Sequence, residues 1–261
     1  MHVVAREGRV SPAVLDNTVS GRDPQGIEYL PMTDARRRVV VAGVLEGPGT
    51  RELTLLAPRR DAQVQVSMLT ADGAITPVGL ETVALEAGKV RRLDISAVTA
   101  GQAVGFVLRA DTRILASVHQ VISTQLADTA DVAGSPALDA PAVVTGLLPA
   151  QVNALVLAAP GAAGAATLTT YVVPTEGAAP EPTTTRVEVA AGTPRTVRIA
   201  VPTTARSAWV VVTPDPSGGM LHAVRRTTEA GTRGPLITTA PVRPLAPVVD
   251  IPTALFKVSA G

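Results

Sequence analysis

A strand-and-turn pattern recurs along this chain at a spacing of roughly 104 residues, too long for the stacked units of a solenoid and about the size of one β-sandwich domain. Leu53-Thr54-Leu55-Leu56-Ala57-Pro58, followed by Ala62-Gln63-Val64-Gln65-Val66-Ser67-Met68, is answered by Leu155-Val156-Leu157-Ala158-Ala159-Pro160 and Ala165-Ala166-Thr167-Leu168-Thr169-Thr170-Tyr171. Val83-Ala84-Leu85-Glu86-Ala87-Gly88-Lys89-Val90-Arg91-Arg92-Leu93 is answered by Val187-Glu188-Val189-Ala190-Ala191-Gly192-Thr193-Pro194-Arg195-Thr196-Val197. Both read as strand, Ala-Gly turn, strand. A last pair sets Ala103 to Leu108 and Ile114 to His119 against Ala208 to Thr213 and Met220 to Arg225. Asp111-Thr112-Arg113 or Asp215-Pro216-Ser217-Gly218-Gly219 lies between, so each is expected to be a hairpin with a polar tip.

Alternation inside the segments tells which face turns inward. Gln63, Gln65 and Ser67 are placed to meet water while Val64, Val66 and Met68 meet a core. Each unit supplies about seven short strands with turn signals roughly every 8 to 12 residues, the spacing of an immunoglobulin-like sandwich. The expected fold is therefore all-β, with tandem immunoglobulin-like antiparallel β-sandwiches. Helix is expected at most as one turn within 93–100.

Composition agrees with this and excludes several functions. The hydrophobic class makes up 46% of residues but aromatics only 2%, so the apolar mass is Val, Leu, Ile and Ala, which suits sheets packed face to face. Gly and Pro, 22 each, are spread along the chain as turns between short strands require. A formal charge of +1 supplies no field to steer the protein to nucleic acid or anionic lipid. With no cysteine there is no disulfide, zinc-thiolate site or thiol nucleophile. The basic residues are Arg apart from Lys89 and Lys257. With abundant Ala, Gly and Pro, that points to GC-rich codons and a bacterial source. No run approaches the roughly 20 apolar residues of a membrane helix, and Met1-His2-Val3-Val4-Ala5-Arg6 has no signal-peptide profile.

The expected organisation follows from where the pattern holds. Val3-Val4-Ala5, Arg6-Glu7-Gly8 and Arg9-Val10-Ser11-Pro12-Ala13-Val14 match the last hairpin of each unit. Residues 1–16 are therefore read as the remnant hairpin of an upstream sandwich, 17–38 as a linker and 39–123 as the first complete sandwich. Residues 124–142 are a second linker, 143–227 the second sandwich and 228–261 a Pro-rich C-terminal extension. A hairpin without its own sandwich would leave strand edges unpaired. A longer protein with at least one more sandwich upstream is expected.

Gly8-Arg9-Val10-Ser11-Pro12-Ala13-Val14, Gly21-Arg22-Asp23-Pro24-Gln25-Gly26-Ile27-Glu28-Tyr29-Leu30-Pro31, Leu55-Leu56-Ala57-Pro58 and Ala87-Gly88-Lys89-Val90 carry a family likeness. Through them the sequence resembles an actinobacterial domain family of unknown function, found in secreted or membrane-anchored multi-repeat β proteins. The resemblance implies a cell-surface location, an N-terminal anchor upstream of this chain and a setting in envelope assembly. It implies no reaction.

The candidate sites are sparse. His2, His119 and His222 are the only histidines. Ser117 and Asp111 lie near His119, but residues two apart on a strand share a face without forming a triad, and no nucleophile elbow accompanies them. His119 aligns with Arg225, and His222 with Ala116. Asp128, Asp131 and Asp139 fall in the expected linker without the close pairing a calcium site uses, and read as solvated carboxylates. Trp209, in Ala208-Trp209-Val210-Val211-Val212, is expected in the core, which leaves no aromatic platform for sugars. Arg36-Arg37-Arg38, Arg59-Arg60, Arg91-Arg92 and Arg225-Arg226 read as solvated turns and strand ends, because neighbours on a strand point to opposite faces. The longest loop inside either unit, with Thr175, Glu176, Gly177, Glu181 and Thr185, is the candidate binding loop.

No catalytic residue, cofactor or metal ligand is expected. The resulting reading is a non-enzymatic extracellular cell-envelope protein, acting as spacer, scaffold or docking surface for protein or glycan. The alternative is an accessory subunit or hydrolase acting on envelope polysaccharide. Nucleic acid is not expected as a partner.

Overall fold

The computed structural model describes residues 13–21, 23–122, 128–175, 179–231 and 234–245. The first two strands, β1 (Ala13–Ser20) and β2 (Asp23–Pro31), pair with each other as a two-stranded sheet. There follow β3 (Arg36–Val44), β4 (Gly49–Leu56), β5 (Ala62–Thr70), β6 (Gly73–Ile75), β7 (Thr82–Leu85) and β8 (Val90–Asp94). A single helical turn, α1 (Ser96–Thr99), precedes β9 (Val104–Ile122) and β10 (Asp128–Ala133). The chain continues through β11 (Ala142–Leu147), β12 (Gln151–Ala159), β13 (Gly164–Pro174) and β14 (Pro182–Val189). It ends with β15 (Thr193–Ile199), β16 (Ala205–Pro214), β17 (His222–Gly231) and β18 (Gly234–Pro241). No helix among the described residues is long and apolar enough to cross a membrane.

All strand pairs are antiparallel, and two pairs of sheets carry the same order. In the first unit the N-terminal half of β9 lies between β3 and β5, with β7 and β6 beyond β5. Its C-terminal half lies between β4 and β10, with β8 beyond β4. In the second unit the orders are β11-β16-β13-β14 and β15-β12-β17-β18. Each pair of sheets encloses one apolar cluster. Leu53, Leu55, Val64, Val66, Phe106, Leu108 and Val118 belong to the first. Leu155, Leu157, Ala166, Leu168, Val210 and Val212 belong to the second. Cores drawn from both facing sheets define sandwiches. In β5, Gln63 and Gln65 are exposed while Val64 and Val66 are buried, as their alternation requires.

The turn between the units' matching strands is built the same way twice. Gly88 and Gly192 adopt φ of 73° and 74°, a left-handed conformation open to glycine without steric penalty. Their N–H groups donate to the Ala57 and Ala159 carbonyls at 2.8 and 2.7 Å. Arg91 and Arg195 reach back to the Ala84 and Glu188 carbonyls.

The expected polar-tipped hairpins are not hairpins. Residues on the two sides of the tip lie in opposite sheets in both units. In the first, Asp111-Thr112-Arg113 stays extended inside the single 19-residue strand β9. That tripeptide has no Gly or Pro, and β-branched Thr112 favours extension. In the second, Pro216 and Gly218 belong to a true turn, with Gly218 N–H donating to the Asp215 carbonyl at 3.2 Å. The register also corrects the alignment by one residue. Leu53 faces Val118 and Leu155 faces Arg225, so His119 matches Arg226 rather than Arg225.

The expected linkers carry structure as well. Most of β1–β2 occupies 17–38, and β10 within 124–142 completes a sheet of the first sandwich. β18 within 228–261 does the same for the second. The remnant hairpin expected at 1–16 lies outside the described residues except for 13–16, which belong to β1 and pair with β2.

The outer face of the β12–β17 pair packs on β3. A Cβ on Gly43 would come within 3.2 Å of Val224 Cβ, so this approach depends on the missing side chain. Val224 and Ala158 of the second unit join the core cluster of the first. A small third cluster, Leu45, Ala130 and Ile237, lies between β10 and β18. The His222 ring reaches the Ser135 carbonyl through Nδ1 at 2.8 Å, and Thr239 Oγ1 donates to the Asp131 carbonyl at 2.9 Å.

Candidate functional site

The candidate binding loop leaves the end of β13 and enters β14. The backbone N–H and hydroxyl of Thr175 both donate to the Thr204 carbonyl, tying the loop's start to the turn before β16. Glu181 is exposed just before β14, and Glu176 and Gly177 lie outside the described residues. Thr185 is not part of the loop: it sits within β14 opposite Leu168.

Beside that loop stands a feature placed wrongly by sequence. Ala208, Val210 and Val212 turn into the core, which sends Trp209 to the outer face of the sheet. There it lies directly opposite Tyr171, with ring centroids 5.1 Å apart and planes 10° from parallel. The core assignment failed because every neighbour of Trp209 is apolar, so alternation does not reveal the inward side. By register the same face carries Thr167, Thr169 and Val173 of β13, Ser207, Val211 and Thr213 of β16, and Thr184 of β14. No element from outside this sheet packs extensively on that face among the described residues.

Asp111, Ser117 and His119, weighed as a hydrolytic centre, each have separate partners. Asp111 accepts from the Gln63 N–H at 3.0 Å, while Ser117 faces Thr54 across the ladder. His222 is buried at the seam, and burial pushes its imidazole down to about 4. Arg225 donates to the Thr145 and Gly146 carbonyls at 2.8 and 3.0 Å, closing one end of the second sandwich. Arg51, not singled out from the sequence, is buried with its guanidinium on the Leu45 and Gly47 carbonyls.

Two of the three carboxylates expected to be solvated in a linker, Asp128 and Asp131, are instead buried in β10. Asp128 accepts from the Ile237 N–H, and Asp131 faces His119 across the ladder. His119 Nδ1 is 3.1 Å from Asp131 Oδ2. The pairing with Asp131 raises the imidazole above its usual value, against an opposing effect of burial. Asp139 is exposed. The β1–β2 hairpin lays its own acidic pair on this spot, because β2 packs against β10 and Asp16 is the cross-strand partner of Glu28. One ligand atom each from Asp16, His119 and Asp131 lies within 4.8 Å of the others. Glu28 is 2% exposed, and its Oε2 has no hydrogen-bond partner. Burial first, and then repulsion from Asp131, pushes its carboxyl up to about 8.

The model of a family of unknown function, DUF5719, matches residues 1–232. Among curated proteins none matches. Two solved structures illustrate the similarity to known folds. The N-terminal CBM22-1-CBM22-2 tandem domain of Paenibacillus barcinonensis Xyn10C is 10% identical, with a TM-score of 0.25, over 88% of this chain and 93% of that one. Bacteroides uniformis beta-glucuronidase is also 10% identical, with a TM-score of 0.18, over 78% of this chain and 25% of that one.

Proposed function

The chain belongs to DUF5719, a family of unknown function, and from that premise we propose that it is a non-catalytic recognition module of the cell envelope that binds glycan on the outer face of its second sandwich. The observation that carries this reading is the stacked Tyr171–Trp209 pair standing on a sheet face that no other element packs on extensively among the described residues. A sugar ring has an apolar face of C–H groups and a rim of hydroxyls. Aromatic rings take the first, and a row of Thr and Ser hydroxyls takes the second. Thr167, Thr169, Thr184 and Ser207 supply that row in register with the rings. Thr175 and Glu181, at the two described ends of the adjoining loop, add polar groups beside the sheet. The first sandwich, joined to the second along the β3 seam, acts as a spacer.

A pull-down on isolated envelope polysaccharide tests this with folded variants. Trp209→Ala, Tyr171→Ala and shortening of the Thr175–Glu181 loop are each expected to weaken retention, while His119→Ala and His222→Ala retain it. Retention unchanged by all three face and loop variants, or lost with either histidine, overturns the assignment.

A further inference from the structure

We propose that Asp16, His119 and Asp131, with the buried Glu28 beside Asp131, form a site for one first-row divalent transition ion, of the zinc or manganese type, which pins the β1–β2 hairpin to the first sandwich. This site is separate from the glycan face and does not depend on it.

The donors come from four strands that the fold brings to one place. Asp16 and Glu28 are opposite each other in the hairpin, and His119 and Asp131 are opposite each other in the first sandwich. Each pair is thus prearranged by its own ladder, and the packing of β2 on β10 brings one pair over the other. Ligand atoms of Asp16, His119 and Asp131 within 4.8 Å of one another match what one ion can span, since metal–ligand bonds of about 2.0 to 2.2 Å place ligands on opposite sides about 4 Å apart.

Glu28 points independently to a ligand. Its carboxylate is buried, with one oxygen left without a donor. Burying such a group without a partner is costly, and structures normally avoid it. The neighbouring carboxylates can only accept, and they are themselves engaged. Asp131 holds the His119 ring, and Asp128 holds the Ile237 amide.

The charge count asks for a cation. Even with Glu28 counted as neutral, Asp16 and Asp131 face one imidazole, so a protonated His119 still leaves an excess of negative charge. A divalent ion offsets that excess and gives Glu28 Oε2 a partner. The imidazole decides the ion class. Calcium and magnesium prefer all-oxygen shells, whereas mixed imidazole and carboxylate ligands suit zinc and manganese. Bound there, the ion would tie residues 16 and 28 to residues 119 and 131, and so hold the hairpin on the outer face of the β8-β4-β9-β10 sheet.

The test uses the full chain, purified without a polyhistidine tag and stripped with a chelator. It is titrated calorimetrically with Zn²⁺, Mn²⁺ and Ca²⁺ in turn. Saturable binding of Zn²⁺ or Mn²⁺ at one ion per chain is expected, weakened at least about tenfold in Glu28→Gln and His119→Gln and unchanged in Asp139→Asn. Melting of the metal-free variants confirms that each folds. Glu28→Gln keeps the shape of the buried side chain, so it is expected to melt no lower than wild type while losing the metal-dependent rise. Amide exchange gives a second readout: the ion should slow exchange across residues 13–31. Absence of saturable Zn²⁺ or Mn²⁺ binding up to about 1 mM overturns the proposal, as does binding that ignores both substitutions. Equal Ca²⁺ affinity that survives His119→Gln also overturns it.

Discussion

The two sandwiches share their strand order and differ in what covers the matching outer sheet. In the first, the β8-β4-β9-β10 sheet presents His119 and Asp131, and the β1–β2 hairpin brings Asp16 and Glu28 onto them. In the second, the matching positions are Arg226 and Thr239, and the neighbouring Val156 and Val224 press against Gly43 of the first unit. One outward face therefore holds a charged cluster, and its counterpart forms an apolar seam. Topology follows from the inward residues, which the two units share in kind. What each unit associates with follows from the outward ones, which they do not share.

The largest expected effect tests the equivalence of the cores. Leu53 and Leu155 are both fully buried at matching register. Leu53→Ala and Leu155→Ala should each lower unfolding free energy by about 2–5 kcal/mol, measured by denaturant titration. A cost below about 1 kcal/mol in either would break the equivalence, because it would mean that one core can collapse around the loss and the other cannot.

A pH effect probes the seam. His222 is buried against the Ser135 carbonyl, with Arg36 and Arg38 near enough to disfavour a further positive charge. Its imidazole titrates at about 4 when folded, against 6.5 as the reference value. Between those values the unfolded chain binds the extra proton and the folded chain does not. Its contribution to stability is therefore complete above pH 6.5 and is lost as pH falls toward 4, by about 3 kcal/mol. Subtracting the pH profile of His222→Gln from that of wild type isolates this loss. A flat difference would mean that the ring is hydrated rather than sealed in the seam.

A smaller effect sharpens the same point. Gly43→Val places a Cβ 3.2 Å from Val224 Cβ, with two further methyl groups beyond it. Overpacking of this kind costs about 1–3 kcal/mol. In scanning calorimetry it should lower the melting temperature and separate the unfolding of the two sandwiches. An unchanged melting profile would show that the seam yields easily, and that the contact seen at Gly43 does not hold the units together.

Several elements were legible before any coordinates. Alternation placed Val64 and Val66 inward, and the Ala-Gly turns at Gly88 and Gly192 hold matching hydrogen bonds. Both signals are local: a strand's period and a turn's need for positive φ are set by a few neighbouring residues. The polar tip Asp111-Thr112-Arg113 was misread because a polar tripeptide between apolar strands looks the same whether the chain turns or crosses to the facing sheet. Trp209 was misread because an all-apolar strand does not mark its inner face. The candidate site was the least legible part. Asp128 and Asp131 looked like solvated linker acids, and Glu28 stood out only as part of a family motif.

Sequence alone determined that the chain is all-β and that two sandwich-sized units succeed each other, since both follow from periodicities that the backbone must obey wherever it folds. Tertiary structure alone decided that β9 spans both sheets, that Gly43 meets Val224 and that Asp16 settles on Asp131 and His119. These contacts join residues up to 181 positions apart, as with Gly43 and Val224 (224 − 43). No local pattern encodes such a distance. It is set by which apolar faces remain uncovered once each sandwich has closed, and by which neighbouring element arrives to cover them.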